Sequence, residues 1–190
     1  MSHRHPEHPK TPTGGEEARP ADVGHHHRKA AHAHVKAIVV TVSDTRTIES
    51  DTGGALVVTA LEAAGHSVVS REIVPDEPAA ISAALDAALG HAGVEAVIFT
   101  GGTGIAPRDV TPETVEAKLD RIVPGFGELF RMLSYEDIGS AALLSRATAG
   151  LAQGRVVFVI PGSRGAVRLA MEKLIVPEIG HLAGEAHKTR

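Results

Sequence analysis

The chain contains no cysteine and no tryptophan, and it has one tyrosine and four phenylalanines among its 190 residues. The absence of cysteine excludes structural disulfides, thiolate zinc sites, iron–sulfur ligation and cysteine nucleophiles. With so few aromatic rings, we expect no stacking surface for single-stranded nucleic acid. The formal net charge of −4 disfavours a general nucleic-acid-binding protein as well. The predicted partners therefore include no nucleic acid.

Long apolar runs are also missing from the sequence. No stretch approaches the roughly 20 consecutive apolar residues that a membrane span needs, and the N-terminal segment lacks the apolar run of a secretory signal peptide. Together with the absence of cysteine, these features predict a cytoplasmic protein with no membrane partner. The apolar content of 43% supports one core of ordinary size, so we expect a single working domain.

Residues 1–34 differ in composition from the rest of the chain. They hold 8 of the 12 histidines, and Val23 is their only large aliphatic residue. Such a segment cannot bury enough apolar surface to offset its ordering entropy, so we predict a disordered tail. Its histidines are compatible with a cloning tag, for which the run 25–27 is short, with specific metal storage, or with a solvated tail that chelates metals weakly. The last interpretation is favoured, and the working domain is assigned to residues 35–190.

Residues 35–190 alternate between short β-branched runs and segments with helical spacing. Strands are predicted at 36–42, 66–74, 96–100 and 155–160. Between and after them the pattern predicts five helices. The first runs from Thr52 to Ala64 and is ended by Gly65, and the second begins at Pro78. The third has Thr111 as N-cap, the fourth lies at 126–133, and the fifth follows Ser163 and ends at Pro177. This alternation predicts an α/β fold with a parallel, doubly wound sheet.

Small, acidic and hydroxyl residues follow all four predicted strands. In doubly wound sheets, ligands bind beyond the carboxyl ends of the strands. The four ends should therefore form one convergent polar site. Its candidate residues are Ser43 and Asp44 after the first strand, Asp76 after the second, Thr100, Gly101, Gly102, Thr103, Gly104, Arg108 and Asp109 at the third, and Pro161, Gly162 and Ser163 at the fourth.

The loop Gly101-Gly102-Thr103-Gly104 carries the most information. Glycines allow backbone N–H groups to approach an anion closely and to form a concave nest. No lysine follows, which excludes a P-loop, and the spacing does not match the dinucleotide-binding pattern of three glycines. A plain glycine turn is the alternative. The position after an apolar strand, beside Arg108 and Asp109, favours phosphate binding.

Ser163 and the three aspartates each have a structural alternative. Ser163 opens a helix, where it would serve as an N-cap, as part of an anion site, or as both. Asp76 would otherwise be a turn or cap residue, and Asp109 would pair with Arg108 or with its own loop. Taken together beside phosphate-binding loops, Asp44, Asp76 and Asp109 suggest Mg²⁺ ligation, because Mg²⁺ prefers oxygen ligands and substrate phosphates.

Several motifs in fixed order resemble the MoaB/Mog family of molybdenum cofactor biosynthesis proteins, and the MoaB branch more than the Mog branch. The resemblance covers nearly all of residues 36–180. Each motif is weak alone, but seven in order are highly specific. They are Thr41-Val42-Ser43-Asp44, Val74-Pro75-Asp76-Glu77, Thr100-Gly101-Gly102-Thr103-Gly104, Arg108-Asp109-Val110-Thr111-Pro112-Glu113, Pro124-Gly125-Phe126-Gly127-Glu128, Ser145-Arg146 and Pro161-Gly162-Ser163.

The resemblance implies a three-layer α/β fold that assembles into trimers or hexamers. It implies binding of molybdopterin, and in active members the transfer of AMP from Mg-ATP to the terminal phosphate of molybdopterin with release of pyrophosphate. Asp76 and Asp109 match the family's two key acidic positions, which makes them the candidate catalytic and Mg²⁺-binding residues. The alternatives are a non-catalytic molybdopterin-binding paralogue or carrier, and an interaction module of the same fold. Other proteins of the cofactor pathway are further possible partners.

Overall fold

The computed structural model describes residues 34–188, so the predicted tail lies outside the described residues except for His34. Six strands form one sheet in the spatial order β2-β1-β3-β6-β5-β4. The strands are β1 (Lys36–Val42), β2 (Ser67–Val74), β3 (Ala96–Thr100), β4 (Arg121–Ile122), β5 (Thr148–Ala152) and β6 (Arg155–Ile160).

The parallel part of the sheet consists of the four strands that the sequence predicts. β1 pairs with β2 on one side and with β3 on the other, and β3 pairs with β6, all in parallel. β1, β3 and β6 are rich in valine and isoleucine and almost fully buried, as expected of central parallel strands. All four carboxyl ends consequently lie along one edge of the sheet.

Helices cover both faces of the sheet, which confirms the predicted three-layer α/β/α arrangement. Val39, Ile98 and Phe158 face one core, together with buried residues of α1, α4, α5 and α6. Val40, Phe99 and Val159 face the other core, which α2 and α3 cover. The helices are α1 (Thr52–Ala63), α2 (Pro78–Gly90), α3 (Thr111–Glu116), α4 (Pro124–Ile138), α5 (Arg164–Ala170) and α6 (Val176–Ala186), with a 3₁₀ segment at Gly139–Leu144 and a π-helical turn at Met171–Ile175.

The connections after β1 and β3 leave the sheet toward opposite faces. The chain after β1 enters α1 on one face, and the chain after β3 enters α3 on the other. β1 and β3 are neighbours, so a crevice opens between their carboxyl ends. This is the position at which doubly wound sheets bind their ligands.

The sequence pattern does not predict the hairpin of β5 and β6 or the short strand β4. β5 is antiparallel to β6 and to β4, so the sheet is mostly rather than wholly parallel. The sequence of β5 is Thr-Ala-Gly-Leu-Ala, which contains no β-branched run. Its central glycine is required, because a β-carbon at Gly150 would lie 2.4 Å from the carbonyl oxygen of Arg121. The turn residues Gln153 and Gly154 have φ of 49° and 75°, as a two-residue hairpin loop requires.

Three predicted helices have wrong boundaries. The helix predicted at 126–133 extends from Pro124 to Ile138. The helix that follows Ser163 does not end at Pro177, because the chain continues as α6. A proline ring clashes with the carbonyl four residues earlier in a regular α-helix, and here the π-helical turn widens the backbone just before it. α3 begins one residue before its predicted start, with Val110 rather than Thr111 at the N-cap. The side chain of Thr111 therefore does not cap this helix.

Gly65, by contrast, ends α1 as predicted, with a φ of 84°. Across residues 34–188, no helix is long and apolar enough to cross a bilayer.

Candidate functional site

Asp44 connects the loops that follow β1, β2 and β3. Its Oδ1 accepts a 3.0 Å hydrogen bond from the backbone N–H of Asp76. Its Oδ2 accepts a 2.8 Å bond from the guanidinium of Arg108, which is 63% exposed. Three of the four predicted loops thus meet at one side chain. Arg108 pairs with Asp44 and not with Asp109, so the first structural alternative considered for Asp109 is wrong. The second alternative, a hydrogen bond within its own loop, is present: the N–H of Ala106 donates to Asp109 Oδ2.

The fourth loop, which follows β6, joins the site through hydrogen bonds and close packing with residues 100 and 101. The hydroxyl of Thr100 donates to the carbonyl of Pro161 over 3.4 Å, and the N–H of Gly101 donates to the carbonyl of Ile160 over 3.1 Å. A β-carbon on Gly162 would stand 3.2 Å from the Cα of Gly101. A β-carbon here would be a tight contact, so the glycine favours the close packing of the two loops.

Gly101 also packs against the end of β1. Its φ is 102°, and a β-carbon there would lie 2.3 Å from the carbonyl oxygen of Val42. The glycines leave room for a crevice of about 110 Å³ between β1 and β3. It is lined by Thr41, Val42, Ser43, Arg46, Asp51, Thr52, Gly53, Thr100, Gly101 and Gly162.

Asp51 and Arg71 support this crevice, although the sequence pattern does not assign them to the site. Asp51 is only 3% exposed and accepts hydrogen bonds from the Thr41 hydroxyl at 2.7 Å, the Gly54 N–H at 2.9 Å and the Arg71 guanidinium at 2.9 Å. Burial alone would raise the pKa of Asp51, but these hydrogen bonds and the charge of Arg71 outweigh it, so the pKa lies below 3.8. Asp51 is therefore an ionised helix cap at the floor of the crevice.

Two of the predicted hydroxyl residues have structural roles. The Ser43 hydroxyl accepts from the backbone N–H groups of Thr45 and Arg46 at 3.3 and 3.2 Å, which shapes the loop after β1. The Ser163 hydroxyl accepts from the N–H of Ala166 at 3.3 Å, so Ser163 is the N-cap of α5. A hydroxyl that accepts can still donate its proton, and both groups remain suited to a phosphate.

Asp76 and Thr111 pack against the same side of Gly102. A β-carbon on Gly102, whose φ is 61°, would stand 2.1 Å from Thr111 Oγ1 and 2.8 Å from Asp76 Oδ1. Both oxygen atoms are buried, and neither forms a hydrogen bond within residues 34–188. Because buried polar groups in native proteins are nearly always paired, two such atoms side by side indicate a place for a ligand.

The environment of Asp76 disfavours its charge. Burial raises the pKa of Asp76 above its ordinary value of 3.8, and the carboxylates of Asp109 and Asp44 raise it further. A hydrogen bond from the Val110 backbone and the charge of Arg108 act in the opposite direction but are outweighed. Asp76 is thus close enough to Asp44 and Asp109 for their negative charges to act on it. The sequence places these three acids after β1, after β2 and in the glycine loop after β3.

Asp109 lies where the glycine loop turns into α3. Its Oδ2 accepts a 2.9 Å hydrogen bond from the N–H of Ala106, and a β-carbon on Gly104 would stand 2.5 Å from the same oxygen. The guanidinium of Arg146 donates to the carbonyls of Thr103, at 3.2 Å, and of Asp109, at 2.6 Å. A further contact joins Arg146 to Glu113.

Arg146 therefore holds both ends of the segment 103–109. Its only signal in the sequence is its place in the Ser145-Arg146 motif of the family resemblance, since the contacts reach 43 and 37 positions back along the chain.

The oxygen atoms of this site fit Mg²⁺ better than a metal that takes an all-protein ligand set. Among the described residues, no three His, Asp or Glu side chains converge in a way that would hold a metal ion. Mg²⁺ usually keeps several waters and takes one or two carboxylates together with substrate phosphates. The unpartnered oxygen of Asp76, with Asp109 near it, matches that requirement.

Comparison with known proteins agrees with this fold. A family model described as a probable molybdopterin binding domain matches residues 38–181. The chain therefore belongs to this family of molybdopterin-binding domains of molybdenum cofactor biosynthesis.

Within the family, the similarity is to MoaB proteins, as the motifs predict. The molybdenum cofactor biosynthesis protein B of Halalkalibacterium halodurans is 51% identical over 165 residues, which cover 86% of this chain and 97% of that protein. A crystal structure of a molybdenum cofactor biosynthesis protein B is 54% identical, with a TM-score of 0.80, over 82% of this chain and 98% of the other. The crystal structure of the tungsten cofactor synthesizing protein MoaB from Pyrococcus furiosus is 38% identical, with a TM-score of 0.75. The match covers 83% of this chain and 100% of that protein.

Proposed function

We propose that this protein binds molybdopterin and ATP in the crevice at the carboxyl ends of the parallel strands and transfers AMP to molybdopterin. An oxygen of the terminal phosphate of molybdopterin forms a bond to the α-phosphorus of ATP. The bond between that phosphorus and the oxygen bridging to the β-phosphate breaks, and pyrophosphate leaves with the electron pair. The nucleophile is already an anion, so no side chain has to remove a proton from it.

The observation that carries this proposal is the unpartnered carboxylate oxygen of Asp76. It is buried beside the glycine loop, with Asp109 and Asp44 near enough to raise its pKa. A carboxylate that served only as a turn or cap would have its oxygen atoms paired within the chain. Asp76 therefore has the properties of a residue that holds a ligand.

The residues of the chain would act by positioning and by charge compensation, which dominate phosphoryl-group transfer. The N–H groups of the glycine loop and the N-cap turn at Ser163 would bind phosphate oxygens, and Arg108 would exchange Asp44 for a phosphate. Asp76 and Asp109 would hold Mg²⁺, which, when bound, lowers the repulsion between the two anionic substrates. Gly101 packs closely on Val42 and Gly162, which brings the loops of this arrangement together.

The test is release of pyrophosphate by the purified full-length protein supplied with molybdopterin and Mg-ATP. We expect Asp109→Ala to reduce the rate by at least about 10²-fold, the size of effect seen when one group that stabilises transition-state charge is lost. Asp86→Asn is the matched control, because Asp86 lies on α2 in an exposed pair with Lys118, outside the site. Its rate should equal that of the wild type.

The same assay separates the proposed enzyme from its alternatives. No pyrophosphate above the level of a heat-killed control would contradict adenylyl transfer. Retained molybdopterin binding in that case would indicate a non-catalytic carrier or paralogue. Loss of both properties would leave an interaction module of the same fold, for which a peptide partner would have to be sought.

A further inference from the structure

Thr111 carries a hydroxyl group that its surroundings do not use. The residue is 0% exposed, and its Oγ1 forms no hydrogen bond to any described part of the chain. Its backbone N–H donates to the carbonyl of Gly102 over 3.0 Å, which fixes Thr111 beside the glycine loop. Val110 occupies the N-cap position of α3, so the hydroxyl has no capping role either.

A second threonine on the same helix shows what is normal there. Thr114 lies three residues further along α3, and its hydroxyl donates to the carbonyl of Val110 over 2.8 Å. This bond to the preceding turn is the usual way in which a threonine inside a helix satisfies its hydroxyl. The unpaired state of Thr111 is therefore a property of its position and not of threonine in this helix.

The hydroxyl of Thr111 and the carboxylate of Asp76 meet beside Gly102. The position of a β-carbon on Gly102 is 2.1 Å from Thr111 Oγ1, 2.8 Å from Asp76 Oδ1 and 3.1 Å from Asp76 Oδ2. Three oxygen atoms from two elements thus pack so closely against Gly102 that no side chain fits at residue 102. Thr111 Oγ1 and Asp76 Oδ1 are both buried and unpartnered within residues 34–188, and a bound cation would satisfy both atoms.

We propose that Thr111 is a further ligand residue of the site, and that its hydroxyl oxygen and the Asp76 carboxylate together hold the divalent cation that accompanies the nucleotide. This inference rests on the proposed function and adds a residue to it. A hydroxyl is a neutral oxygen ligand, and its pairing with one carboxylate is a known way of holding Mg²⁺ against nucleotide phosphates. With so few protein ligands, phosphate oxygens and waters must complete the coordination. Cation binding should therefore depend on the nucleotide.

The proposal is tested by binding of Mn²⁺, a paramagnetic substitute for Mg²⁺, to the full-length protein. The free Mn²⁺ signal is followed by electron paramagnetic resonance with and without α,β-methylene-ATP, whose α–β linkage cannot be cleaved. Four proteins are compared: the wild type, Thr111→Val, Thr111→Ser and the matched control Thr114→Val. The histidine-rich tail is identical in all four, so metal bound by the tail contributes equally to each.

We expect Thr111→Val to bind Mn²⁺ about tenfold more weakly in the presence of the nucleotide analogue. Thr111→Ser, which keeps the hydroxyl, and Thr114→Val should bind as the wild type does. Thr111→Val should also melt at no lower temperature than the wild type, because replacing an unpaired buried hydroxyl by a methyl group removes no hydrogen bond. Retained stability with weakened cation binding is the combination that a purely structural hydroxyl would not produce.

Three results would overturn the proposal. Wild-type Mn²⁺ affinity in Thr111→Val would show that the hydroxyl is not a ligand. Equal loss of nucleotide affinity with Mn²⁺ and with EDTA would show that it binds phosphate directly. A melting temperature several degrees lower would show that it is a structural group. If pyrophosphate release persists in any of these cases, the proposed function stands and only the assignment of Thr111 fails.

Discussion

At the scale of single residues, Asp76 shows a conflict between stability and the proposed function. Its pKa is raised by burial and by Asp109 and Asp44, so the folded state favours the protonated form. Ionising this carboxyl in the folded state therefore costs free energy of folding. Groups that are placed to bind a ligand often destabilise the free protein in this way. At a pH below the ordinary pKa of 3.8, both the folded and the unfolded chain bind the proton, so this cost is absent. The cost appears as the pH rises through the folded-state pKa.

Asp76→Asn should therefore be more stable than the wild type at pH 7.5, with a melting temperature higher by about 2 °C. The difference should shrink as the pH is lowered toward 4, because the wild-type carboxyl then takes up its proton. Melting curves of both proteins between pH 4 and 8 measure it, with Asp86→Asn as the exposed control. A variant that melts below the wild type at pH 7.5 would contradict the inference that Asp76 is strained by its neighbours.

At the scale of elements, the loop 103–109 depends on one guanidinium group. Arg146 bonds the carbonyls of Thr103 and Asp109 and contacts Glu113 at the start of α3. The fork of an arginine can hold several acceptors at once, which the single ammonium of a lysine does not reproduce. Arg146 therefore connects the segment after the 3₁₀ turn to both ends of the loop that carries Asp109.

Arg146→Lys should loosen this loop without unfolding the domain. We expect amide hydrogen exchange in residues 104–109 to become about tenfold faster, while the amides of β3 and β6 remain protected. Arg131→Lys, on the exposed side of α4, should leave the exchange pattern unchanged. Unaltered protection of 104–109 in Arg146→Lys would mean that the backbone of the loop is held by other contacts.

The same elements show which parts of the fold and of the site can be predicted from the sequence alone. β1, β3 and β6 are predictable because they are buried on both faces and therefore consist of valine and isoleucine runs. The candidate loops follow from those strands, since parallel carboxyl ends share one edge. β5 is not predictable in this way, because its sequence Thr-Ala-Gly-Leu-Ala has no β-branched run, and the close approach of Arg121 excludes a side chain at Gly150. The roles of Arg146 and Arg71 are not predictable from the sequence pattern either, because each side chain contacts residues that are distant in the sequence.

At the scale of the whole molecule, α4 and the 3₁₀ segment after it expose several large apolar side chains. The inner face of α4 packs Phe126 and Phe130 into the core, as expected. On the outer side Tyr135 is 65% exposed and Leu143 is 83% exposed. Leu129, Met132, Ile138 and Leu144 are also exposed. A group of apolar side chains of this kind marks an interaction surface rather than free surface.

We propose that this surface joins copies of the chain, in keeping with the trimer or hexamer that the family resemblance implies. Multi-angle light scattering at about 10 µM should then give three or six times the chain mass of 19.7 kDa. The double substitution Met132→Glu and Leu143→Glu should weaken association at least about tenfold, because it places charges in the centre of the contact. Val69→Glu, an exposed apolar residue on the edge strand β2, serves as the control and should not change the mass. A wild-type mass of one chain would contradict the assembly, and the exposed face of α4 would then have to serve a different partner.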